Sequence, residues 1–491
     1  MNYNNPRILE LNTRVWLKKK NYKSVNEISD SVIDEWKELG FDFIWLMGIW
    51  KTNKDIVAQY CFEPDLVQSY TNALKDWKTE DVIGSPYAID CYEINPELGT
   101  ESDLLSLKKR LNEKRIGLIL DFVSNHLSIG SRLVKENKEI FLPADEYLFR
   151  NDPYTFFKSP YNSKEYFAHG RDPLFPPWKD TIQINFYSTE ARKFLIDTLH
   201  SVSNLCDGVR CDMAMLSLNN IFYNTWIGAL KKYGYERPKQ EFWTEAISSL
   251  KSSKPEFVFI AEAYWDLEWQ LQQLGFDFTY DKRLLDRLGS SDVRSIKDHL
   301  RAEKDFQLKS VRFIENHDEE RAAAKLGKDK SLAAATVIST IQGMILYHDG
   351  QFEGKKIKLP VQLAREPFEK EDDRIKKFYY KLLRITSDII FRNGEWTMLD
   401  PTPSANSDFS FENFLIWQWK YENRLMIVAV NYSNTTSRCR VKFETPKDKM
   451  ILNLNDVLNS VSYERSVEEI NERGLYIELK PFCSHILEVN I

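Results

Sequence analysis

A chain of 491 residues is too long for one small core, so two or three domains are expected. With 43% hydrophobic and 29% charged residues it reads as an ordinary folded protein, and a net charge of −6 without a long basic run gives no reason to expect nucleic acid. No apolar run is long enough to span a bilayer, and the opening MNYNNPRILELNTRVWLKKK lacks the charged-then-apolar order of a secretory leader. Six scattered cysteines without a CxxC pair argue against zinc or a disulfide framework and for reduced thiols in the cytoplasm.

The first strand is expected over Ile8 to Leu17, followed by a helix from Val25 to Leu39 that Gly40 closes. FDFIWLMGIW (41–50) is apolar on both faces, as a parallel strand covered by helices would be. Residues 51–99 hold helical pieces without a clean period. A helix from Thr100 to Lys114 leads into IGLILDFVSNH (116–126), a buried strand ending in polar residues. Helix 190–205 feeds DGVRCDMA (207–214), a short buried strand with Arg210 and Asp212 on one face. Helices near 222–230 and 241–250 precede EFVFIAEAYW (256–265), and GFDFTYDKRL (275–284) repeats the GFDF of residues 40–43. A helix at 293–303 precedes SVRFIENHDEE (310–320), and an Ala-rich helix at 331–342 precedes GMILYHDGQFEG (343–354); a helix over 371–391 follows.

These eight strands alternate with helices, which is the pattern of an α/β chain closed into a (β/α)8 TIM barrel, here drawn from residues 1–126 and 190–393. Residues 127–189 are too many for a loop and are expected to form a subdomain inserted after strand 3. From residue 394 the hydrophobic period changes to two, as in NFLIWQWKY and RLMIVAVNY, which predicts a C-terminal antiparallel β-sandwich over 394–491.

In such a barrel the chemistry sits at the C-terminal strand ends. Those ends carry Asp121, Asn125 and His126, then Arg210 and Asp212, then Glu262, then Asn316, His317 and Asp318. Any one of these alone is more often a satisfied structural group; together, without metal-type spacing, they suit cleavage of a sugar bond by two carboxyls. The guanidinium of Arg210 should keep Asp212 ionised and fit to attack, while the apolar and aromatic flanks of Glu262 should raise its pKa and fit it to protonate the leaving oxygen. A retaining mechanism predicts the two carboxyls roughly 5–5.5 Å apart.

DFVSNH, GVRCD, the glutamate of FIAEAYW and FIENHD, in that order and at those strands, resemble the four signatures of the α-amylase superfamily, the family 13 glycoside hydrolases. The resemblance implies Asp212 as nucleophile, Glu262 as acid/base, and Asp318 gripping hydroxyls of a distorted ring. It also implies His126 and His317 bonding hydroxyls, Arg210 holding Asp212, Tyr87 stacking on the sugar, and Asp121 bracing the strand end. The implied partner is an α-glucan or oligosaccharide, with no cofactor required. Calcium stays open because Asn125 matches a ligand of the family. The family's starch enzymes commonly place Lys-His where this chain has Met215 and Leu216, which are read first as core. Asn185 resembles the family's asparagine before the third helix. His169, Arg171, Asp172 and Trp178 could line the cleft or simply order their loop, and Trp265 and Trp269 could form a leaving-side platform; Trp45 and Trp50 are read as packing. Three functions are weighed: hydrolysis of α-glucosides, transfer of a glucosyl or maltosyl group, and non-catalytic carbohydrate binding, the last disfavoured because all three carboxylates are present.

Overall fold

The computed structural model describes residues 4–446 and 449–490. Eight parallel strands close into a barrel: β1 Arg7–Asn12, β2 Phe43–Met47, β3 Gly117–Phe122, β4 Gly208–Cys211, β5 Val258–Ala261, β6 Phe278–Tyr280, β7 Ser310–Arg312 and β8 Met344–His348. Each pairs with the next, and β8 pairs with β1. The FIWLM of β2 is buried along its whole length, as a strand between a filled barrel interior and an outer ring of helices must be. Gly208 opens β4 because a Cβ there would lie 2.6 Å from the carbonyl oxygen of Val258, so only glycine lets β4 lie this close to β5. The helix Glu101–Glu113 starts on a reciprocal cap, with Thr100 accepting from the Asp103 amide and Asp103 accepting from the Thr100 amide.

Several expected boundaries change; the helix expected over Val25 to Leu39 is a 3-10 turn at Val25–Glu27 and a helix at Asp30–Glu38, and that expected over 371–391 ends at Ile385, with a short turn of helix at Ile390–Asn393. The first strand stops at Asn12, and Thr13–Lys19 is a helix that buries Val15, Trp16 and Leu17 against the barrel. The apolar run 41–50 is cut by Gly48, whose φ of +77° turns the chain, so Trp50–Thr52 leaves the barrel and pairs with Ile89–Ile94. In place of one helix over 293–303 there are two, Val293–Leu300 and Lys304–Leu308.

Between β3 and the helix Thr189–Val202 the chain builds small sheets of its own. His126–Ser128 pairs antiparallel with Thr181–Gln183, and Tyr166–Ala168 lies between Pro143–Ala144 and Phe156–Lys158. After Gly394 a six-stranded antiparallel sheet and a two-stranded sheet enclose a second core containing Phe414, Ile416, Leu454 and Leu487. On the other face of the strand Phe414–Tyr421, Leu415, Trp417 and Trp419 join the barrel's core, and the Trp419 indole donates to the carbonyl of Thr340 at 2.7 Å. The period-two pattern thus serves two cores at once.

Candidate active site

Arg210, 1% exposed, stands at the centre of the rim formed by the strand ends. Its Nη1 donates to Asp212 Oδ1 at 2.7 Å and lies 3.5 Å from Asp121 Oδ1. Its Nη2 is 2.7 Å from Glu262 Oε2, a charge contact without hydrogen-bond alignment. Asp212 and Glu262 therefore sit at two tips of one planar guanidinium, which keeps the touching oxygens within about 8 Å of each other. The guanidinium carbon lies 5.2 Å from the Trp45 ring centre, 5.3 Å from Tyr87 and 5.7 Å from Tyr280. Register explains the cluster: Arg210 pairs with Asp121 on β3, and side chains paired across parallel strands share a face.

The main chain fixes the two acids. The amide of Asp212 donates to Phe122 O at 3.0 Å, and that of Glu262 donates to Cys211 O at 3.1 Å. Directly after, Met213 adopts a left-handed φ of 44°, which aims its N–H at Glu262 Oε2, 2.7 Å away. The Tyr264 hydroxyl donates to the other oxygen, Oε1, at 2.8 Å.

His317 forms a second node. Its Nδ1 bonds the carboxyl of Glu10 from β1, while its Nε2 lies 2.9 Å from the Tyr87 hydroxyl and 2.9 Å from Asp318 Oδ2. Its ring stacks on Tyr87 with centroids 5.3 Å apart and meets Trp45 edge-on. Asp318 keeps 47% of its side chain accessible. It faces a cleft of about 590 Å³ bounded by Leu66, Asn72, Lys358 and Gln362.

Burial dominates the electrostatics. It pushes Glu262 up to about 7, with Arg210 opposing and Asp212 adding to the rise. It likewise raises Asp121 to about 7 against the pull of Arg210. The sequence weighs only the guanidinium beside Asp212; in the fold burial also pushes this carboxyl above its ordinary value, with Arg210 opposing through charge and hydrogen bond. Of the two acids 2.7 Å from Arg210, only Asp212 has an aligned hydrogen bond from the guanidinium, so Arg210 opposes the rise at Asp212 through both charge and hydrogen bond. Burial would lower His317, but Asp318 and Glu10 hold it well above the usual histidine range. Partial desolvation at the wall of the cleft would raise Asp318, yet His317 brings it down to about 2. His126, by contrast, is lowered by burial to about 4 and is a neutral ring.

The structure brings Tyr87, Arg210, Asp212, Glu262, His317 and Asp318 into this one network. His126 lies on the inserted strand beside Trp178, with ring centroids 5.1 Å apart. Met215 and Leu216 are 0% and 3% exposed and belong to the interior. His169 Nδ1–H donates to Thr181 O and its ring stacks on Phe157, and Asp172 accepts the amides of Leu174 and Phe175, so both order their own loop. Asn185 is fully buried and accepts from the Tyr187 amide. Trp269 is 45% exposed.

Asn125, the residue on which calcium stays open, is engaged by Gln183. Its Oδ1 accepts from Gln183 Nε2 at 2.9 Å, and the same nitrogen reaches the main-chain oxygens of Asn125 at 2.8 Å and Ile184 at 3.0 Å. Three oxygens thus converge on one N–H donor. Among the described residues no group of three or more His, Cys, Asp or Glu is placed to hold a metal.

Sequence reasoning missed Glu10, Tyr264 and Tyr280, and it assigned Trp45 to packing. All four face the network. The pattern of β1 could have flagged Glu10, a lone acid among the buried Ile8, Leu9 and Leu11.

A closed parallel barrel with paired acids on its C-terminal rim is the architecture of a glycosidase-type barrel, and comparison with known sequences narrows it. The family model for the alpha amylase catalytic domain matches residues 30–396, and the chain belongs to that family. Among curated relatives, Alpha-amylase 3 of Dictyoglomus thermophilum is 24% identical over 314 residues, 59% of this chain and 57% of the relative. Alpha-amylase MalA of Haloarcula japonica is 26% identical over 279 residues, 54% of this chain and 36% of the relative. The chain thus spans about half the length of the curated relatives it matches. A noncanonic maltogenic alpha-amylase, AmyB from Thermotoga neapolitana, shares the fold over 99% of both chains, with a TM-score of 0.69 and 21% identity. An alpha-amylase from Geobacillus thermoleovorans, solved with acarbose, covers 99% of this chain and 98% of its own, with a TM-score of 0.66 and 18% identity.

Proposed function

We propose that this protein hydrolyses α-glucosidic bonds in α-glucans or shorter oligosaccharides with retention of configuration. The observation that carries the reading is the pair Asp212 and Glu262 at two tips of the Arg210 guanidinium, one hydrogen-bonded to it and the other raised to about 7. Asp212 attacks the anomeric carbon and forms a glycosyl ester. Glu262 first protonates the leaving oxygen and then, ionised, takes a proton from the incoming water. When Glu262 is neutral, one competitor for the charge of Arg210 is removed, which favours the attacking anion at Asp212. Asp318 and the His317 ring grip ring hydroxyls, Tyr87 offers an aromatic face, and neutral His126 serves as a hydrogen-bonding group without charge. No step is assigned to a metal, because the oxygens near Asn125 already surround an amide donor.

The test is cleavage of a chromogenic maltoside followed by NMR of the product anomers, with Asp212→Asn and Glu262→Gln as controls. An initial α-anomer and two inactive variants are expected; an initial β-anomer would overturn the retaining mechanism. Transfer to an acceptor sugar would appear as longer products when acceptor is added. Met215 and Leu216, the residues that could have formed an apolar acceptor floor, are instead packed inside.

A further inference from the structure

Glu10 is fully buried on β1, in register with Trp45 of β2 and His348 of β8. One of its carboxyl oxygens bonds His317 Nδ1 and the other has no hydrogen-bond partner. A buried acid with a single partner is costly unless its charge is used there. The opposite ring nitrogen, Nε2, is the one turned to Tyr87 and Asp318.

We infer that Glu10 is a positioning residue: it saturates Nδ1 of His317 and keeps the ring a charged, two-donor imidazolium whose Nε2–H points into the sugar site. This deepens the hydrolytic reading above and rests on it. The logic is that of any histidine whose far nitrogen decides what the near nitrogen can do. With Glu10 in place the near nitrogen donates, so it holds Asp318 as an anion and can bond a sugar hydroxyl that takes the place of the Tyr87 hydroxyl. Without that charge the ring can lose its proton and present a lone pair to a carboxylate, which repels it. The titratable and charged groups around His317 are Glu10 from β1, Tyr87 from the segment before β3, Asp121 from β3, Arg210 and Asp212 from β4 and beyond, Asp318 beside it, and His348 from β8. Glu10 is the group bonded to Nδ1.

The alternative, that Glu10 merely ties β1 to β7, is separated by Glu10→Gln, which keeps the size and an acceptor oxygen but removes the charge. In the full chain, ¹⁵N NMR of the His317 ring should show an imidazolium through neutral pH, and Glu10→Gln should let it titrate near its ordinary range. On a chromogenic maltoside the variant should lose roughly tenfold in kcat/KM near pH 7.5, with much of the loss recovered near pH 5.5. Glu10→Asp, which keeps the charge, should recover part of it. A neutral His317 in the unsubstituted protein near pH 7, or an unchanged ring titration in Glu10→Gln, would overturn the inference. If Glu10→Gln does not fold, the ring titrations of the unsubstituted protein and of Glu10→Asp decide it. Should the unsubstituted protein cleave no α-glucoside, the hydrolytic reading falls, while the ring titration still judges Glu10.

Discussion

The guanidinium of Arg210 lies over the indole of Trp45, its carbon 5.2 Å from the ring centre. A cation over a desolvated indole gains about 2 kcal/mol, and the flat ring also sets the plane from which the fork reaches the two acids. Trp45→Phe keeps an aromatic face but a smaller one. It is expected to lower the unfolding free energy by about 1–3 kcal/mol and to reduce kcat more than it raises KM. Urea denaturation and steady-state kinetics on a maltoside measure both.

Arg210→Lys tests the fork itself. An ammonium is a point charge and cannot hold Asp212 and Glu262 at once as the guanidinium does, so one buried carboxyl loses its partner. The expected cost is about 3–5 kcal/mol in stability and at least a hundredfold in kcat. Activity within threefold of the unsubstituted enzyme would mean that the fork does not arrange the acids.

Glu262 at about 7 predicts the basic limb of the pH profile. The acid form is needed to protonate the leaving oxygen, so kcat/KM should fall as pH rises through about 7. A glucosyl fluoride, whose leaving group needs little protonation, should show a weakened limb. An equal limb with both substrates would assign that ionisation to another group.

Asp121 is the second acid that burial lifts to about 7. An acid with a raised folded-state pKa binds its proton more tightly when folded, so its contribution to stability falls as pH rises from about 4 to about 7. Asp121→Asn removes that titration. The melting temperature of the variant minus that of the unsubstituted protein should therefore grow between pH 5 and pH 8. A constant difference across that range would assign no such titration to Asp121.

Gln183 makes a prediction about metals. Because its amide nitrogen fills the ring of oxygens from Asn125 and Ile184, neither EDTA nor added calcium should move the melting temperature. Gln183→Glu replaces the donor by oxygens and should make the melting temperature rise with calcium. A calcium response in the unsubstituted protein would show that the amide yields its place.

Much of the architecture is legible in the chain because most barrel strands are short apolar runs leading into polar residues, as GLILDFV before Ser124 and Asn125 and VFIA before Glu262 show. The boundaries that fail do so for local reasons. Gly48 turns a run that reads as one strand, and the apolar residues after Asn12 suit a helix as well as a strand. Within the site, residues beyond the strand ends are readable because polar groups there have no other excuse. Trp45 and Tyr280 are not, since an aromatic ring in the barrel interior looks the same in sequence whether it packs on leucine or on a guanidinium. The contact between Arg210 and Glu262 is also invisible, because it joins residues of neighbouring strands about fifty positions apart through register alone.

The left-handed turn at Met213 has a bearing on how such a site can change over time. Since it is the peptide N–H of this residue that anchors Glu262, the gap between the two acids is written in main-chain geometry and owes little to the identity of the side chain at that position. Substitutions at position 213 can thus reshape the neighbourhood of the leaving group while leaving the spacing of the reacting pair intact, with glycine and asparagine the most easily accommodated newcomers.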